Sequence, residues 1–254
     1  MTTADRWART VRDQLGLGRL LPLGGPGDGA WIAERAAREV LLAAARDVTG
    51  ARPGGLRIAP AGRDDAHEPA VPPPPSALPP GPLRVTADFA ATVGPAATGE
   101  PLPATAARLR AVLTAAARGL GLTVTDVDLR ATALLDAAME PDPDAAREPE
   151  PEPAPGRGSR RPPAAQPGDG DEGRAAGAAL AVPGVARLTA TLGRPVDVTE
   201  LPREPAALAR RHVRVELAVD ADHRAVEVAR RVRAAVSEAL ADRPSVAVLV
   251  TAVG

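Results

Sequence analysis

The chain has 254 residues, of which 31 are basic and 32 acidic, so its formal net charge is −1. It contains no Lys, Tyr or Cys, and its aromatic residues are Trp7, Trp31 and Phe89. This composition excludes disulfides, thiol catalysis, Cys-ligated zinc, Schiff-base Lys chemistry and a phosphate-loop Lys. It also excludes extensive aromatic base stacking, and the balanced charge gives no global attraction to nucleic acid or anionic lipid.

The chain carries no recognisable membrane or secretory segment. No apolar run approaches 18 residues, and the first residues, MTTADRWARTVRDQ, mix acids and bases. A secretory signal would need an uninterrupted apolar stretch there. We therefore expect a cytoplasmic location, with any membrane association made through a partner or an amphipathic segment.

Residues 1–29 are predicted to form an N-terminal helix and a Gly-rich loop. Trp7, Val11 and Leu15 lie on one helical stripe, which would dock on the rest of the chain or on a partner helix. The following LGLGRLLPLGGPGDG is predicted to pack as a loop against the first unit.

Residues 30–136 are predicted to form a first α+β unit. Its opening IAERAAREVLLAAARDVTGA is typical of a helix whose exit uses Gly50 in the left-handed conformation, followed by a short strand at Leu56. The predicted inward stripe of this helix is Ile32, Ala36, Val40, Ala43 and Ala44. The Pro-rich stretch at 60–82 is interpreted as an extended surface loop, with an SH3-type ligand as the alternative.

The first unit continues as strand, helix and strand. Apolar residues alternate from Leu83 to Phe89, the period of a half-buried strand. An amphipathic helix follows over about Ala104–Arg118, with Leu109, Val112, Leu113, Ala116 and Leu120 inward, and a second alternating strand covers Leu122–Leu129.

Residues 137–173 are predicted to be a disordered linker. Between Glu140 and Gly173 there is no Val, Ile, Leu or Phe, and Pro alternates with acidic residues. Such a segment buries too little apolar surface to offset its ordering entropy.

Residues 174–254 are predicted to repeat the first unit in degenerate form. The strand Val213–Val219 aligns without gaps to Leu83–Phe89, and it is followed by a helix over about Arg224–Leu240 and a strand at Val246–Val250. The predicted inward residues of this helix are Val228, Val232, Ala235, Val236 and Ala239, with Glu227 and Arg231 paired outside. The fold class expected is α+β, as two degenerate copies of a small two-layer helix-strand-strand-helix-strand unit.

These segments resemble the alkaline shock protein (general or envelope stress response) family. The resemblance rests on DGAWIAERAAREVLLAAARDVTGA and on HVRVELAVDADHRAVEVARRVRAAVSEAL followed by SVAVLVTAV. The chain also resembles actinobacterial proteins with an automatic nucleopolyhedrovirus label, which has no functional content. It departs from the family where Ala51 replaces Val and where the first helix of the second half is short. The resemblance implies non-enzymatic, self-associating proteins near the cytoplasmic face of the envelope.

A Gly-rich stretch, Gly24–Trp31, stands before the first predicted helix, where backbone N–H groups can bind phosphate. No Lys follows its last Gly, and Pro22 interrupts the segment that should be a clean strand. We interpret it as a flexible hinge with Asp28 as a candidate N-cap, and nucleotide binding is the less favoured alternative.

Other candidate residues favour ordinary structural roles. His212, Asp220, Asp222 and His223 could bind a metal, but neighbours on a strand alternate faces, and DADH is a common helix opening. His67 is expected to be solvent-exposed. The four serines, none in a Gly-x-Ser-x-Gly elbow, are Ser76, Ser159, Ser237 and Ser245.

Arginines cluster around the second-half strand and helix. The cluster consists of Arg210, Arg211, Arg214, Arg224, Arg230, Arg231 and Arg233. Such a face could bind nucleic acid, but a solvated, salt-bridged face is the preferred interpretation.

We therefore predict a non-enzymatic interaction or scaffold protein of the stress-response type, which acts by self-association or partner binding. Many inward positions are Ala, so the cores are thin, and we expect the two units to pack on each other or on a partner. The expected partner is a second copy, a related stress protein or a small membrane-anchored protein, and the expected location is the cytoplasm or the inner face of the membrane. No catalytic residue, cofactor, metal or small-molecule substrate is expected. The alternative is a nucleic-acid-binding module that uses the Arg-decorated faces.

Overall fold

The computed structural model describes residues 16–62, 65–93, 101–136, 170–201 and 211–254. The strands in this part of the chain are β1 (Leu20–Pro22), β2 (Ala30–Ala33), β3 (Ala51–Pro60), β4 (Leu83–Val93), β5 (Val124–Asp136), β6 (Val185–Leu188), β7 (Val196–Glu200), β8 (Arg211–Val219) and β9 (Ser245–Val253). The helices are α1 (Glu34–Arg46), α2 (Leu102–Leu120), α3 (Asp171–Leu180) and α4 (Ala225–Ala239). This mixture of helices and mixed sheets confirms the α+β class.

The strands form two sheets. Sheet A has the order β1-β2-β9-β8-β6, and β7 also pairs with β8, end to end with β6. Sheet B has the order β3-β4-β5. In each sheet an antiparallel pair leads into a parallel pair whose strands are connected through a helix, β4-α2-β5 in sheet B and β8-α4-β9 in sheet A.

The two halves therefore share their order of elements and their pairing directions. They differ where the second half interrupts its first strand: β3 runs over ten residues with a bulge between Pro53 and Leu56, whereas β6 and β7 are separate short strands. That the halves are copies of one unit stays a prediction.

One hydrophobic cluster runs through both halves. Helix α1 contacts α2, β3 and β9, and α2 contacts α4, so helices of the first half lie against elements of the second. The alternating strand residues predicted inward are buried, among them Val85 and Phe89 on β4 and Val213 and Leu217 on β8. The helix bounds of α2 and α4 agree with the prediction to within two residues.

Residues 20–33 are placed differently from the prediction. They form a β-hairpin, β1-β2, that joins sheet A of the second half through parallel pairing of β2 with β9, instead of packing as a loop on the first unit. Pro22 is tolerated because it ends β1, where its missing N–H removes no ladder bond. Ile32 is consequently a strand residue, and helix α1 begins only at Glu34.

The buried face of α1 is also rotated from the predicted stripe. Ala36 is buried as predicted, but Ala43 is exposed, and the other buried positions are Ala37, Leu41 and Ala45. Alanines occupy so many positions of this helix that several stripes fit its sequence equally well. Gly50 has a φ of +81°, as predicted for the turn after the helix.

The predicted linker and N-terminal helix lie mostly outside the described residues. The exception is Asp171–Gly173, which already belongs to α3. Asp171 and Glu172 favour this early start because carboxylates stabilise the first turn of a helix. Within the described chain, no helix is long and apolar enough to cross a membrane.

The Pro-rich stretch lies along the outer edge of β1. The Leu78 N–H donates to the Leu20 carbonyl at 2.8 Å, and the Trp31 indole N–H donates to the Leu78 carbonyl at 3.1 Å. Val71 is buried. The segment thus covers an edge that would otherwise expose unpaired backbone groups.

Candidate functional site

The Gly-rich loop does not precede a helix and does not offer a phosphate site. It connects β1 to β2, and Asp28 accepts a hydrogen bond from the Gly25 N–H at 2.7 Å instead of capping a helix. Arg230 of α4 holds the same carboxylate with its Nε at 2.8 Å and its Nη2 at 2.9 Å, and Arg233 donates to the Gly27 carbonyl. The Asp28 carboxylate therefore accepts the hydrogen bonds that a bound phosphate would need. The loop predicted to be a flexible hinge is bonded to α4.

Hydrogen bonding by Arg230 lowers the pKa of Asp28 below its ordinary value, against the opposing effect of burial. The loop charge is thus compensated within the chain.

The predicted His and Asp candidates do not converge. His212 lies near the start of β8 and Asp220 follows its end, so the length of the strand separates them. The Nδ1 of His212 lies 2.9 Å from the Oγ of Ser245, while His223 lies against Gly184. Within the described residues there is no cluster of three or more His, Asp or Glu that could hold a metal. His67 is exposed, as predicted.

The arginine cluster is largely paired with acidic residues. Arg211 contacts Asp171 and Asp242, and Arg214 lies 3.5 Å from Asp197. On α4 the predicted Glu227–Arg231 pair is not formed; the Glu227 carboxylate lies 3.2 Å from Arg230 instead. Arg210 lies outside the described residues.

A buried polar cluster on sheet A was not predicted. Glu216 on β8 is 0% exposed and accepts hydrogen bonds from the backbone N–H groups of Thr191 and Leu192, the latter at 3.0 Å. The Nε of Arg214 lies 3.6 Å from the Glu216 carboxylate and has no hydrogen-bond partner. Alternation along β8 suggested a solvent-facing Glu, but the loop between β6 and β7 covers it.

Burial raises the pKa of Glu216 to about 7, and the Leu192 N–H and Arg214 oppose this rise. Burial also lowers the pKa of the neighbouring His212, with Arg214 as the second cause. The Glu216 carboxylate is closed to solvent, and its hydrogen bonds hold the β6-β7 loop on the sheet.

Among the described residues, sheet B has an unpaired edge at β5. This strand spans 13 residues and pairs there on one side only, with β4. Residues 130–134 are all exposed, and Leu134 keeps 63% of its surface accessible. Sequence patterning predicted a strand at Leu122–Leu129, which ends before residues 130–134, whereas β5 continues to Asp136. Which strand becomes an edge depends on the order of strands in the sheet.

Hydrogen bonding shows which backbone groups of β5 face outward. The Thr92 N–H donates to the Gly50 carbonyl, so the even-numbered residues of β4 bond to β3 and the odd-numbered ones to β5. In a parallel ladder the partner opposite a bonding residue points its own peptide groups away, so those of Val127, Leu129 and Ala131 face the free edge. The Val127 carbonyl accepts a hydrogen bond there from Arg110 Nε at 3.1 Å. These outward peptide groups can bind the backbone of an added strand.

Comparisons of the chain with protein-family models, with curated proteins and with solved structures find no match.

Proposed function

We propose that the chain is a non-enzymatic interaction protein that binds an extended polypeptide segment along the free edge of β5. The observation that carries the proposal is this 13-residue strand, whose outer side pairs with no other strand in the described part of the chain. Arg110 of α2 donates to one carbonyl on that side, that of Val127. A long exposed edge is a ready template for strand addition.

The other sheet edges carry features that discourage strand addition. The Pro-rich stretch covers β1, and β6 and β7 have only four and five residues. At the far edge of sheet B, β3 contains Pro53, Pro60 and a bulge at Gly54–Gly55. β5 contains neither Pro nor Gly. Natural sheets protect edges by these devices, and the two bulges of β5, at Thr125 and Thr132, leave a regular stretch from Asp126 to Ala131 between them. This regular stretch supports a binding role.

The biological setting proposed is a general or envelope stress response, and it rests on the resemblance to the alkaline shock protein family. In that setting the chain acts by contact in the cytoplasm or at the inner face of the membrane. The partner is a second copy, a related stress protein or a small membrane-anchored protein. A nucleic-acid-binding role is less well supported, because Arg211, Arg214 and Arg230 of the cluster proposed for it form ion pairs with acidic residues.

The test is selection of peptides from a displayed random library on the purified chain, followed by comparison with an Ala131→Pro variant. Ala131 is exposed and its N–H faces outward, so Pro removes one donor without breaking the β4-β5 ladder. Ala131→Val keeps the N–H and is the matched control. Circular dichroism and the melting temperature show whether each variant is folded.

We expect selected peptides to bind the natural chain and the Ala131→Val variant, and to lose at least about tenfold in affinity for the Ala131→Pro variant. Failure to enrich any peptide, or equal binding to a folded Ala131→Pro variant, would contradict the proposal.

A further inference from the structure

Strand β5 carries charges of both signs on its solvent face. Asp126 and Asp128 lie 3.7 and 3.6 Å from the guanidinium of Arg84 on β4. Arg130, also exposed, makes no ion pair with any described residue. The edge thus presents two acidic positions and one unmatched basic position within five residues.

These charges distinguish the registers in which two β5 strands could pair antiparallel. When the two-fold axis passes through Leu129, Asp128 of each copy faces Arg130 of the other, which gives two attractive pairs. Asp126 of each copy then faces Thr132 of the other. With the axis at Asp128, Asp126 of each copy faces Arg130 of the other, but two Asp128 side chains meet. With the axis at Arg130, two Arg130 side chains meet. An axis at Val127 places Asp126 opposite Asp128. Like charges directly opposite each other destabilise a strand pair, so the register about Leu129 is favoured.

Backbone direction agrees with the same register. The outward peptide groups of Leu129 would pair with those of Leu129 in the second copy, and those of Val127 with Ala131. The Arg110 contact leaves the Val127 carbonyl a second lone pair for this bond. Asp128 and Arg130 then form non-hydrogen-bonded pairs, in which opposite side chains approach most closely.

We propose that the segment bound at the β5 edge is β5 of a second copy of this chain, antiparallel and centred on Leu129. The inference rests on the proposed function and specifies its partner. Pairing joins two three-stranded sheets into one six-stranded sheet through the regular stretch of β5 between its bulges at Thr125 and Thr132.

The test is sedimentation equilibrium of the full chain over a range of concentrations, with charge-reversal variants. Asp128→Arg alone and Arg130→Asp alone each replace two attractive pairs by two repulsive ones. Each is expected to weaken dimerisation by roughly tenfold or more. An equimolar mixture of the two variants restores both attractive pairs and is expected to form heterodimers. The double variant Asp128→Arg with Arg130→Asp is expected to dimerise with itself.

Asp126→Arg is the matched control, because Asp126 shares the Arg84 contact but faces Thr132 in this register. It is expected to dimerise nearly as the natural chain does. A natural chain that stays monomeric, or dimers that ignore the reversals at 128 and 130, would overturn the inference. In either case peptide binding that depends on the Ala131 N–H would still support the proposed function, so the two failures are distinguishable.

Discussion

Asp28 and Arg230 form a two-point ion pair that joins the first hairpin of the chain to its last helix. Two nitrogens of the Arg230 guanidinium lie 2.8 and 2.9 Å from the two carboxylate oxygens of Asp28. Such paired N–H···O bonds give directional as well as electrostatic stabilisation. The contact crosses 202 positions of sequence, so it couples the N-terminal segment to the second half.

Replacement of Asp28 by Ala is expected to lower the free energy of unfolding by about 1–2 kcal/mol, since it also removes the acceptor of the Gly25 N–H. Arg230 is 46% exposed, and solvent screening keeps the loss moderate. Urea denaturation measures the change. Glu227→Ala, which removes a single exposed contact of Arg230, is the control and should change stability by less than about 0.5 kcal/mol.

The Asp28–Arg230 pair makes the free energy of unfolding depend on pH. The pKa of Asp28 is lowered in the folded chain from its ordinary 3.8, so the unfolded chain binds the proton more readily. The stabilisation is therefore complete at a pH above 3.8, the ordinary pKa of the carboxyl group. It is lost as the pH falls through the lower pKa that Asp28 has in the folded chain. The stability difference between the natural chain and Asp28→Ala should shrink in that acidic range. A constant difference down to the lowest usable pH would contradict this assignment.

Glu216 should make the free energy of unfolding depend on pH in the opposite direction. Its pKa of about 7 in the folded chain exceeds its ordinary 4.5, so the folded chain binds the extra proton between these values. Its contribution to stability is fully present below 4.5 and is lost as the pH rises through about 7, with a total on the order of 3 kcal/mol. Glu216→Gln cannot ionise but keeps an acceptor for the Leu192 N–H. Relative to the natural chain, it should therefore gain stability as the pH rises from 4.5 to above 7, in denaturation measured at each pH.

Glu216→Leu tests the role of the same side chain in holding the β6-β7 loop. Leu leaves the Thr191 and Leu192 N–H groups without their acceptor, at a cost of about 1–3 kcal/mol in the stability of the loop contact. Amide hydrogen exchange at Leu192 should speed up in this variant and stay slow in Glu216→Gln. Equal protection in both variants would show that the carboxylate does not hold the loop.

Gly121 is expected to be intolerant of a side chain. Its φ is +98°, and an added methyl group would overlap the side chain of Val226 on α4. Left-handed strain and overlap together should make Gly121→Ala lose about 2–4 kcal/mol in thermal or urea unfolding. Gly119→Ala, two residues earlier and with open space at the Cβ position, is the control and should gain up to about 1 kcal/mol through helix propensity. Equal effects at both sites would argue against this contact between α2 and α4.

Trp31 is expected to hold the Pro-rich stretch on β1. Trp31→Phe keeps an aromatic ring in the core but removes the N–H that the Leu78 carbonyl accepts. The loss of one partly buried hydrogen bond should lower stability by about 1 kcal/mol. It should also speed exchange of the Leu78 amide hydrogen, which bonds to Leu20. Unchanged exchange at Leu78 would show that backbone bonds alone hold the segment.

Local periodicity predicted a large share of the fold. The alternation from Leu83 to Phe89 and from Val213 to Val219 is buried as expected, because side chains of a strand alternate faces whatever their neighbours are. Helices α2 and α4 were predicted correctly because Leu or Val residues recur at helical spacing on their buried face. Helix α1 was predicted less well, since its many Ala residues leave the direction of the buried face undecided by sequence.

The candidate site depended on information that is not local. Asp28 looked like a helix cap from its neighbours, yet its partner Arg230 lies 202 positions away. Glu216 looked solvent-facing on its strand, but a loop from 24 positions earlier covers it. For β5, the residues predict a strand, and the charges of Asp128 and Arg130 are visible in the sequence. Their importance follows only from its position at the sheet edge.

By itself, the sequence determined the α+β composition, the strand and helix periods and the exclusion of thiol and lysine chemistry, because these depend on residue type and spacing of a few positions. The tertiary structure alone decided that residues 20–33 join the second-half sheet, that the Pro-rich stretch protects β1 and that β5 is an edge strand among the described residues. These depend on which distant segments pair, and the free energy of pairing comes from contacts between residues far apart in the chain.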